Sequence, residues 1–267
     1  MSVEIKEKFN SVYGPVNSWR YGRSLGIDPI GPVSTCSFNC VYCQLGEIVD
    51  KTRDRRLFIP TAQILEDLQP FAPWNMDVIT LSGSGEPTLS LNLGEIITEI
   101  KKLTGCPVLV LTNATLLNDP SVCEELALAD KVSVKLDGVS PDKMRGVDRP
   151  VEGIEMSEIL AGIEQFKKNY SGELGIQTML LSPWRKGDRD KYIEWVKAIA
   201  PKEIQLNTPT RPKPLKHELD GRGNHEPDSD LPYPVQVLKC VSREILQQFG
   251  SEITEATGIL VRYAPAK

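Results

Sequence analysis

Short apolar runs alternate with longer segments of helical periodicity through most of the chain. The runs predict buried strands at residues 24–27, 76–81, 107–112, 131–136, 174–181 and 203–206. Between them, apolar residues recur every three to four positions, as at Ile96, Ile97, Ile100 and Leu103, which predicts amphipathic helices. Strands separated by helices predict an α/β fold with a parallel sheet. Periodicity alone suits either an open doubly wound sheet or an incomplete barrel.

The pattern changes after residue 208. Residues 209–234 are rich in Pro, Gly and charged residues and have no apolar period, which predicts a long loop. A last helix is predicted over 235–249, with Gly250 just past its end, and a last strand over 258–263. We therefore predict a single domain made of an N-terminal extension (1–23), a strand–helix body (24–208) and a C-terminal loop, helix and strand packed on it (209–267).

Composition narrows the class of protein. Apolar residues make up 40% of the chain and charged residues 25%, which is typical of a globular protein. The net charge of −5 argues against a surface coated with basic residues for nucleic acid. No apolar run approaches the length needed to cross a bilayer, and residues 1–10 lack the apolar core of a signal peptide. The sequence therefore predicts a cytoplasmic protein with no membrane partner.

The cysteines Cys36, Cys40 and Cys43 are spaced C-x3-C-x2-C in the loop after the first predicted strand. Thiolates are soft ligands that suit zinc or an iron–sulfur cluster. Structural zinc usually has four protein ligands, but no second cysteine pair follows, and the only two histidines, His217 and His225, lie far along the chain. An electron-transfer ferredoxin would normally supply four cysteines per cluster. The spacing therefore favours a four-iron cluster with one iron open to another ligand.

This motif, with Tyr42 before its last cysteine, resembles the signature of the radical S-adenosylmethionine (SAM) superfamily. The resemblance covers about residues 13–211. It implies a partial (β/α)6 barrel of parallel strands and a [4Fe-4S] cluster on Cys36, Cys40 and Cys43, whose open iron binds the amino and carboxylate groups of SAM. In that family, one electron from a donor such as flavodoxin or ferredoxin cleaves SAM to methionine and a 5′-deoxyadenosyl radical.

A second motif, Ser82-Gly-Ser-Gly-Glu-Pro87, follows the second predicted strand and is similar to the family's Gly-Gly-Glu segment. Glycines let a backbone approach a ligand closely, and backbone carbonyls or Glu86 can accept from an ammonium group. The resemblance implies a SAM site built from this segment and from polar residues on other elements: Tyr42, Gly83, Ser84, Gly85, Glu86, Asn113, Ser133, Lys135, Asp137 and Gln177. For Lys135 and Asp137, the alternative is a structural salt bridge.

The segments 13–27, 40–46, 82–87 and 112–117 together resemble a branch of radical SAM proteins related to the wyosine-base synthase, which acts on tRNA. That synthase carries a second cluster on three cysteines that precede the SAM motif. In this sequence no cysteine precedes Cys36. The sequence therefore predicts one cluster, and the departure puts second-cluster chemistry and the wyosine product in doubt.

Basic residues recur in the loops that should lie at the carboxyl ends of the strands, where parallel barrels have their active sites. We call them the basic rim: Arg53, Arg55, Arg56, Arg145, Arg149, Arg185 and Lys186. Acidic residues are interspersed with them, so an ordinary charged surface is the simpler interpretation. The other interpretation is an anionic substrate, either a nucleoside in tRNA or a peptide, protein or small metabolite. A non-enzymatic metal-binding or electron-transfer protein is the alternative of another class.

Overall fold

The computed structural model describes residues 9–222 and 231–264. Its centre is an eight-stranded sheet whose strands lie side by side in chain order: β1 Val12–Ser18, β2 Gly22–Ile27, β3 Val78–Leu81, β4 Val108–Thr112, β5 Lys131–Lys135, β6 Glu173–Met179, β7 Glu203–Asn207 and β8 Leu260–Tyr263. β1 is antiparallel to β2, and the other neighbouring strands are parallel. A doubly wound sheet reverses its strand order at a switch point, whereas this sheet keeps one order and curls into a half-barrel. The partial-barrel prediction is confirmed.

The six strands predicted between residues 24 and 206 correspond to β2 to β7, with ends that agree to within two residues. Helices connect and cover them: α1 Thr61–Leu68, α2 Leu93–Thr104, α3 Pro120–Leu126, α4 Pro141–Val147, α5 Met156–Asn169, α6 Lys186–Ile199 and α7 Arg243–Thr257. Sequence periodicity did not predict α4, which is short and lies between β5 and α5. None of the helices in the described part of the chain is long and apolar enough to cross a membrane.

Side chains alternate between the two faces of the sheet, as the pleat requires. On β5, Val132 and Val134 are fully buried in the apolar core, and Ser133 and Lys135 point to the opposite face. Lys135 pairs in register with Gln177 on β6, which pairs with Gln205 on β7. Polar side chains from adjacent strands therefore share one face, where a ligand could bind.

A last helix is present, but its predicted bounds of 235–249 are wrong. Val235 and Gln236 instead pair with Lys213 and Pro214 in a short antiparallel ladder, and α7 begins at Arg243. Gly250 lies inside α7 rather than past its end. The ring of Tyr263 on β8 packs so closely that a Cβ on Gly250 would lie 2.4 Å from it. The glycine therefore permits helix–strand contact and is not a stop signal.

Candidate cofactor site

Residues 34–46, which we call the cluster loop, carry the three cysteines between β2 and α1. Thr35 and Cys36 pair with Asp50 and Lys51 on one side. On the other side, Asn39 N donates to Asp148 O at 2.9 Å and Val41 N to Val147 O at 2.9 Å. The end of α4 and the residue after it therefore brace the loop, and backbone bonds on both sides hold the cysteines in place.

Polar groups surround the sulfur atoms of the cluster loop. Cys36 Sγ accepts from Phe38 N at 3.4 Å and from Asn113 Nδ2 at 3.6 Å. Lys135 Nζ lies 3.8 Å from Cys40 Sγ, and the Cys40 thiol donates to Asp148 Oδ1 at 3.6 Å. Donors aimed at cysteine sulfur stabilise thiolates and are typical of iron–sulfur sites.

Burial sets the charge balance of the site. It raises the pKa of the Cys36 thiol to about 12, so bare thiolates there need a compensating positive charge. Burial by itself would lower the pKa of Lys135, but the charges of Cys40, Asp137 and Asp148 raise it on balance, and the ammonium is retained. Burial and the nearby Asp137 carboxylate raise the pKa of Asp148 well above its usual range.

Residues 82–86, which we call the glycine-rich turn, lie directly against the cluster loop. Thr35 N donates to Ser84 O at 3.1 Å, and Glu86 N donates to Thr35 O at 3.0 Å. A Cβ on Gly85 would lie 1.8 Å from Thr35 O, so only glycine fits there. The two motifs lie 39 residues apart from Cys43 to Ser82 in sequence, yet the fold joins them through their backbones.

Glu86 is buried, and its carboxylate is fully used inside the protein. Oε1 accepts from Thr88 N at 3.1 Å, from Thr88 Oγ1 at 2.8 Å and from Thr112 Oγ1 at 2.6 Å. Oε2 accepts from Asn113 N at 2.7 Å. A carboxylate has about four acceptor sites. Glu86 therefore ties the turn to the end of β4, and backbone carbonyls are the acceptors that the turn can offer to an ammonium group.

The other residues predicted for the SAM site converge beside the cluster loop. The hydroxyl of Tyr42 donates to Asp137 Oδ2, and Lys135 Nζ lies 4.9 Å from the centroid of the Tyr42 ring. Asp137 Oδ1 accepts from Met179 N at 2.7 Å. Asn113 reaches Ser37 Oγ at 2.8 Å as well as Cys36. These side chains form two polar groups against the cluster loop, one around Asn113 after β4 and one around Tyr42, Lys135 and Asp137 at the end of β5.

The residues fit the cofactors that the motifs imply. Ser133 Oγ and Gln177 Nε2 are buried without hydrogen-bond partners among the described residues, as expected of groups that await a bound ligand. No three His, Cys, Asp or Glu side chains in residues 9–222 and 231–264 converge closely enough to hold a single metal ion. A four-iron cluster does not require that convergence, since each thiolate binds a different iron.

The basic rim is less uniform than its sequence indicates. Arg55 is only 12% exposed; it donates to Thr88 O and Ser90 O and pairs with Glu125, so the structure places it in the framework rather than on the rim. Four others form ion pairs or backbone bonds at the surface: Arg53 with Gly153 O, Arg56 with Asp50, Arg145 with Asp142 and Lys186 with Asp190. Arg149 and Arg185 are exposed, and within the described residues neither forms an ion pair.

Sequence reasoning missed three residues of the site. Asp148 contacts Cys40, and Asp28 binds both Ser84 N and Ser84 Oγ at 3.0 Å. Arg222 donates to Asp28 Oδ2 at 2.9 Å across 194 residues of sequence. No local pattern singles out Asp148, and Arg149 between it and Pro150 has a φ of +47° instead of the extended backbone that a following proline favours. No local pattern predicts the pairing of Asp28 with Arg222.

Comparisons with known proteins define the class. The chain matches the Radical SAM superfamily over residues 30–196, so it belongs to that superfamily and is a radical SAM enzyme. The family implies a [4Fe-4S] cluster and SAM, which agrees with the cysteine motif.

The chain is 61% identical to the UPF0026 protein slr1464 of Synechocystis over 97% of this chain and 98% of that protein. It is 30% identical to a probable GTP 3′,8-cyclase of Saccharolobus solfataricus over 70% of this chain and 58% of that protein. Among solved structures, SuiB of Streptococcus suis bound to S-adenosylmethionine superposes with a TM-score of 0.59 at 12% identity. That match covers 91% of this chain and 47% of SuiB, and it shows the fold alone.

Proposed function

We propose that the enzyme holds its cluster on Cys36, Cys40 and Cys43 and modifies a nucleoside within tRNA in the cytoplasm. When bound, the cluster and SAM would supply a 5′-deoxyadenosyl radical, with one electron from a donor such as flavodoxin or ferredoxin. The observation that carries the tRNA assignment is Arg149, an exposed cation without an ion pair in the described part of the chain. Its backbone carbonyl accepts from Asn39 N of the cluster loop at 3.2 Å, so this residue lies directly against that loop.

The chain's own residues have definable tasks in this proposal. Lys135 offsets negative charge at Cys40, while Phe38 N and Asn113 Nδ2 donate to Cys36. The unpartnered Ser133 Oγ and Gln177 Nε2 would bind the polar groups of SAM. Buried polar side chains that bind a cofactor in this way orient the reactants and exclude water.

A small nucleotide is the second candidate substrate. The relative from Saccharolobus solfataricus is named for a reaction of GTP, and its 30% identity covers 70% of this chain. A nucleotide would need the same cation beside the cluster loop but fewer phosphate contacts than tRNA. The two substrates therefore differ in how steeply binding falls with salt.

The test is binding of unfractionated tRNA to the anaerobically reconstituted enzyme at several salt concentrations. We expect the Arg149→Glu, Arg185→Glu variant to bind less tightly and with a shallower salt dependence, since each phosphate contact contributes roughly one unit of slope. Lys168→Glu, Lys197→Glu is the matched control, because these exposed lysines lie in the last turns of α5 and α6, away from the cluster loop. Equal binding by the wild type and both variants would favour the nucleotide, which mass spectrometry of a reaction with GTP would then test.

A further inference from the structure

Residues 211–222, which we call the strap, lie across the cluster loop. Glu218 N donates to Leu45 O at 2.9 Å, and Arg211 Nη1 donates to Gln44 Oε1 at 3.0 Å. The strap comes from residues 209–234, which the sequence predicts to be a long loop. Its backbone and side chains instead make specific bonds next to Cys43, the last cysteine of the motif.

At two positions of this contact the backbones lie so close together that only glycine fits. A Cβ on Gly221 of the strap would lie 2.0 Å from Gln44 O, and one on Gly46 of the cluster loop would lie 2.0 Å from Lys216 O. The blocking atoms are backbone oxygens, so no side-chain rotation can relieve the overlap. Gly46 also has a φ of +80°, which glycine adopts readily. The two backbones therefore meet at matched glycines.

The end of the strap reaches the glycine-rich turn through a buried ion pair. Arg222 is 12% exposed and pairs at 2.9 Å with Asp28, which is fully buried. Its guanidinium carbon lies 4.8 Å from the Phe9 ring centroid and 5.3 Å from that of Tyr13, a cation–π arrangement. The Tyr13 hydroxyl is 2.6 Å from Ser82 Oγ. Arg222 and its neighbours thus converge on the first residues of the turn.

Asp28 transmits this contact to the SAM site. Its oxygens accept from Ser84 N and Ser84 Oγ, each at 3.0 Å, and a Cβ on Gly83 would lie 2.5 Å from Asp28 Cγ. Burial raises the pKa of Asp28, and the Arg222 charge opposes that rise. Without Arg222, a buried carboxylate would be left unpaired or would take a proton, and either change disturbs its bonds to Ser84.

We propose that the strap couples the cluster loop to the glycine-rich turn, and that Arg222 is a positioning residue that holds the turn in its SAM-binding conformation. The role rests on the proposed function, since it requires that SAM bind at this turn. Arg222 acts through Asp28 and Ser84 and does not itself touch SAM. Its removal should weaken SAM binding while the cluster, which the cysteines hold, stays in place.

The test compares Arg222→Met, Arg222→Lys and the control Arg243→Met in reconstituted full-length enzyme. Arg243 is exposed at the start of α7. Titration of SAM into the reduced enzyme, followed by the electron paramagnetic resonance of the cluster, gives the dissociation constant, and iron analysis gives the cluster content. We expect Arg222→Met to bind SAM roughly tenfold more weakly with unchanged iron. We expect Arg222→Lys to recover most of the affinity and Arg243→Met to match the wild type. Unchanged SAM affinity in Arg222→Met would overturn the proposal.

A second pair of variants tests the strap without altering the ion pair. Gly221→Ala should force the strap away from the cluster loop and shorten the lifetime of the cluster in air several-fold. Gly146→Ala in α4, where a Cβ would meet nothing within 4 Å, should behave as wild type. If Arg222→Met fails to fold, the comparison of Gly221→Ala with Gly146→Ala tests the proposal instead. Equal cluster lifetimes in these two variants would overturn the coupling of the strap to the cluster loop. If the wild-type enzyme binds no SAM, the proposed function fails as well. If the wild type binds SAM and the variants behave like it, only the proposed role of the strap fails.

Discussion

The cluster loop and the basic rim lie at the same end of the half-barrel but satisfy their polar groups in different ways. In the cluster loop, buried groups bond to partners from distant elements: Asn113 to Cys36, Lys135 to Cys40 and Asp148 to Asn39. On the rim, basic residues bond mainly to acids a few positions away, such as Arg145 to Asp142 and Lys186 to Asp190. Buried polar groups are costly unless they are paired, so a buried network drawn from distant elements indicates a specific role. Short-range ion pairs at the surface contribute little to stability and indicate no such role.

The cluster loop and the basic rim therefore differ in which of their groups are available to a ligand. The cluster-loop network includes Ser133 Oγ and Gln177 Nε2, buried groups that lack partners within the described residues. The rim offers Arg149 and Arg185 as its exposed cations without ion pairs in that part of the chain. Changes in the first region should therefore remove cofactors or stability, and changes in the second should alter only binding of an anion.

The largest expected effect is loss of the cluster. Replacing Cys36, Cys40 or Cys43 with Ala removes one of the three thiolates that the motif offers to the cluster, so iron and sulfide content should fall to background after anaerobic reconstitution. Cys123→Ala is the control, since Cys123 lies on α3 and donates to Leu117 O, away from the cluster loop. Full iron content in any of the three variants would contradict the ligand assignment.

The next largest effect should come from Glu86→Gln. Each oxygen of Glu86 faces a backbone N–H, from Thr88 and from Asn113, so the amide nitrogen of Gln must face a donor in either orientation. We expect a loss of about 2–4 kcal/mol in the free energy of unfolding of the apoprotein, measured with urea. Glu124→Gln, on the exposed face of α3, should change it by less than about 0.5 kcal/mol. Equal unfolding free energies for the two variants would show that Glu86 does not stabilise the link between the glycine-rich turn and the end of β4.

Arg55 and Arg56 sharpen the comparison because they are neighbours with opposite environments. Arg55 is 12% exposed and donates to two backbone carbonyls as well as Glu125, whereas Arg56 is 50% exposed and pairs with Asp50. We expect Arg55→Met to cost about 2–3 kcal/mol of unfolding free energy, since buried acceptors lose their donors. Arg56→Met should cost less than about 1 kcal/mol. Similar urea midpoints for both variants would contradict this division.

Periodicity predicted the strands from 24–27 to 203–206 because their burial repeats locally, and the cysteine spacing could single out a candidate ligand set because such spacing is local too. Residues 53–56 show where such reasoning ends. Four consecutive polar residues in a loop carry no period, so nothing in the sequence tells that Arg55 points inward and Arg56 outward.

The strap and α7 show the same limit over a longer range. Arg222 pairs with a residue 194 positions away, and the apolar residues of 235–241 continue the period of α7 although Val235 and Gln236 pair with Lys213 and Pro214. In the sequence, Asp28 and Arg222 are an isolated Asp and an isolated Arg, and no pattern links them. Tertiary contacts of this kind determine the structure of a loop, and local sequence patterns do not encode them.

The smallest expected effects lie in the paired part of the rim. Arg145 is 57% exposed and Lys186 80% exposed, and each bonds to an acid three or four residues away on its own helix. Such pairs contribute at most a few tenths of a kcal/mol, so Arg145→Ala and Lys186→Ala should leave the urea midpoint nearly unchanged. Because a local acid already offsets each charge, neither variant should alter the salt dependence of the proposed tRNA binding as much as a change at Arg149 or Arg185. A drop in slope of about one unit for Lys186→Ala would mean that its pair with Asp190 opens to meet a phosphate. The distinction between paired and unpaired rim cations would then fail, and the anion-binding surface would extend onto the first turn of α6.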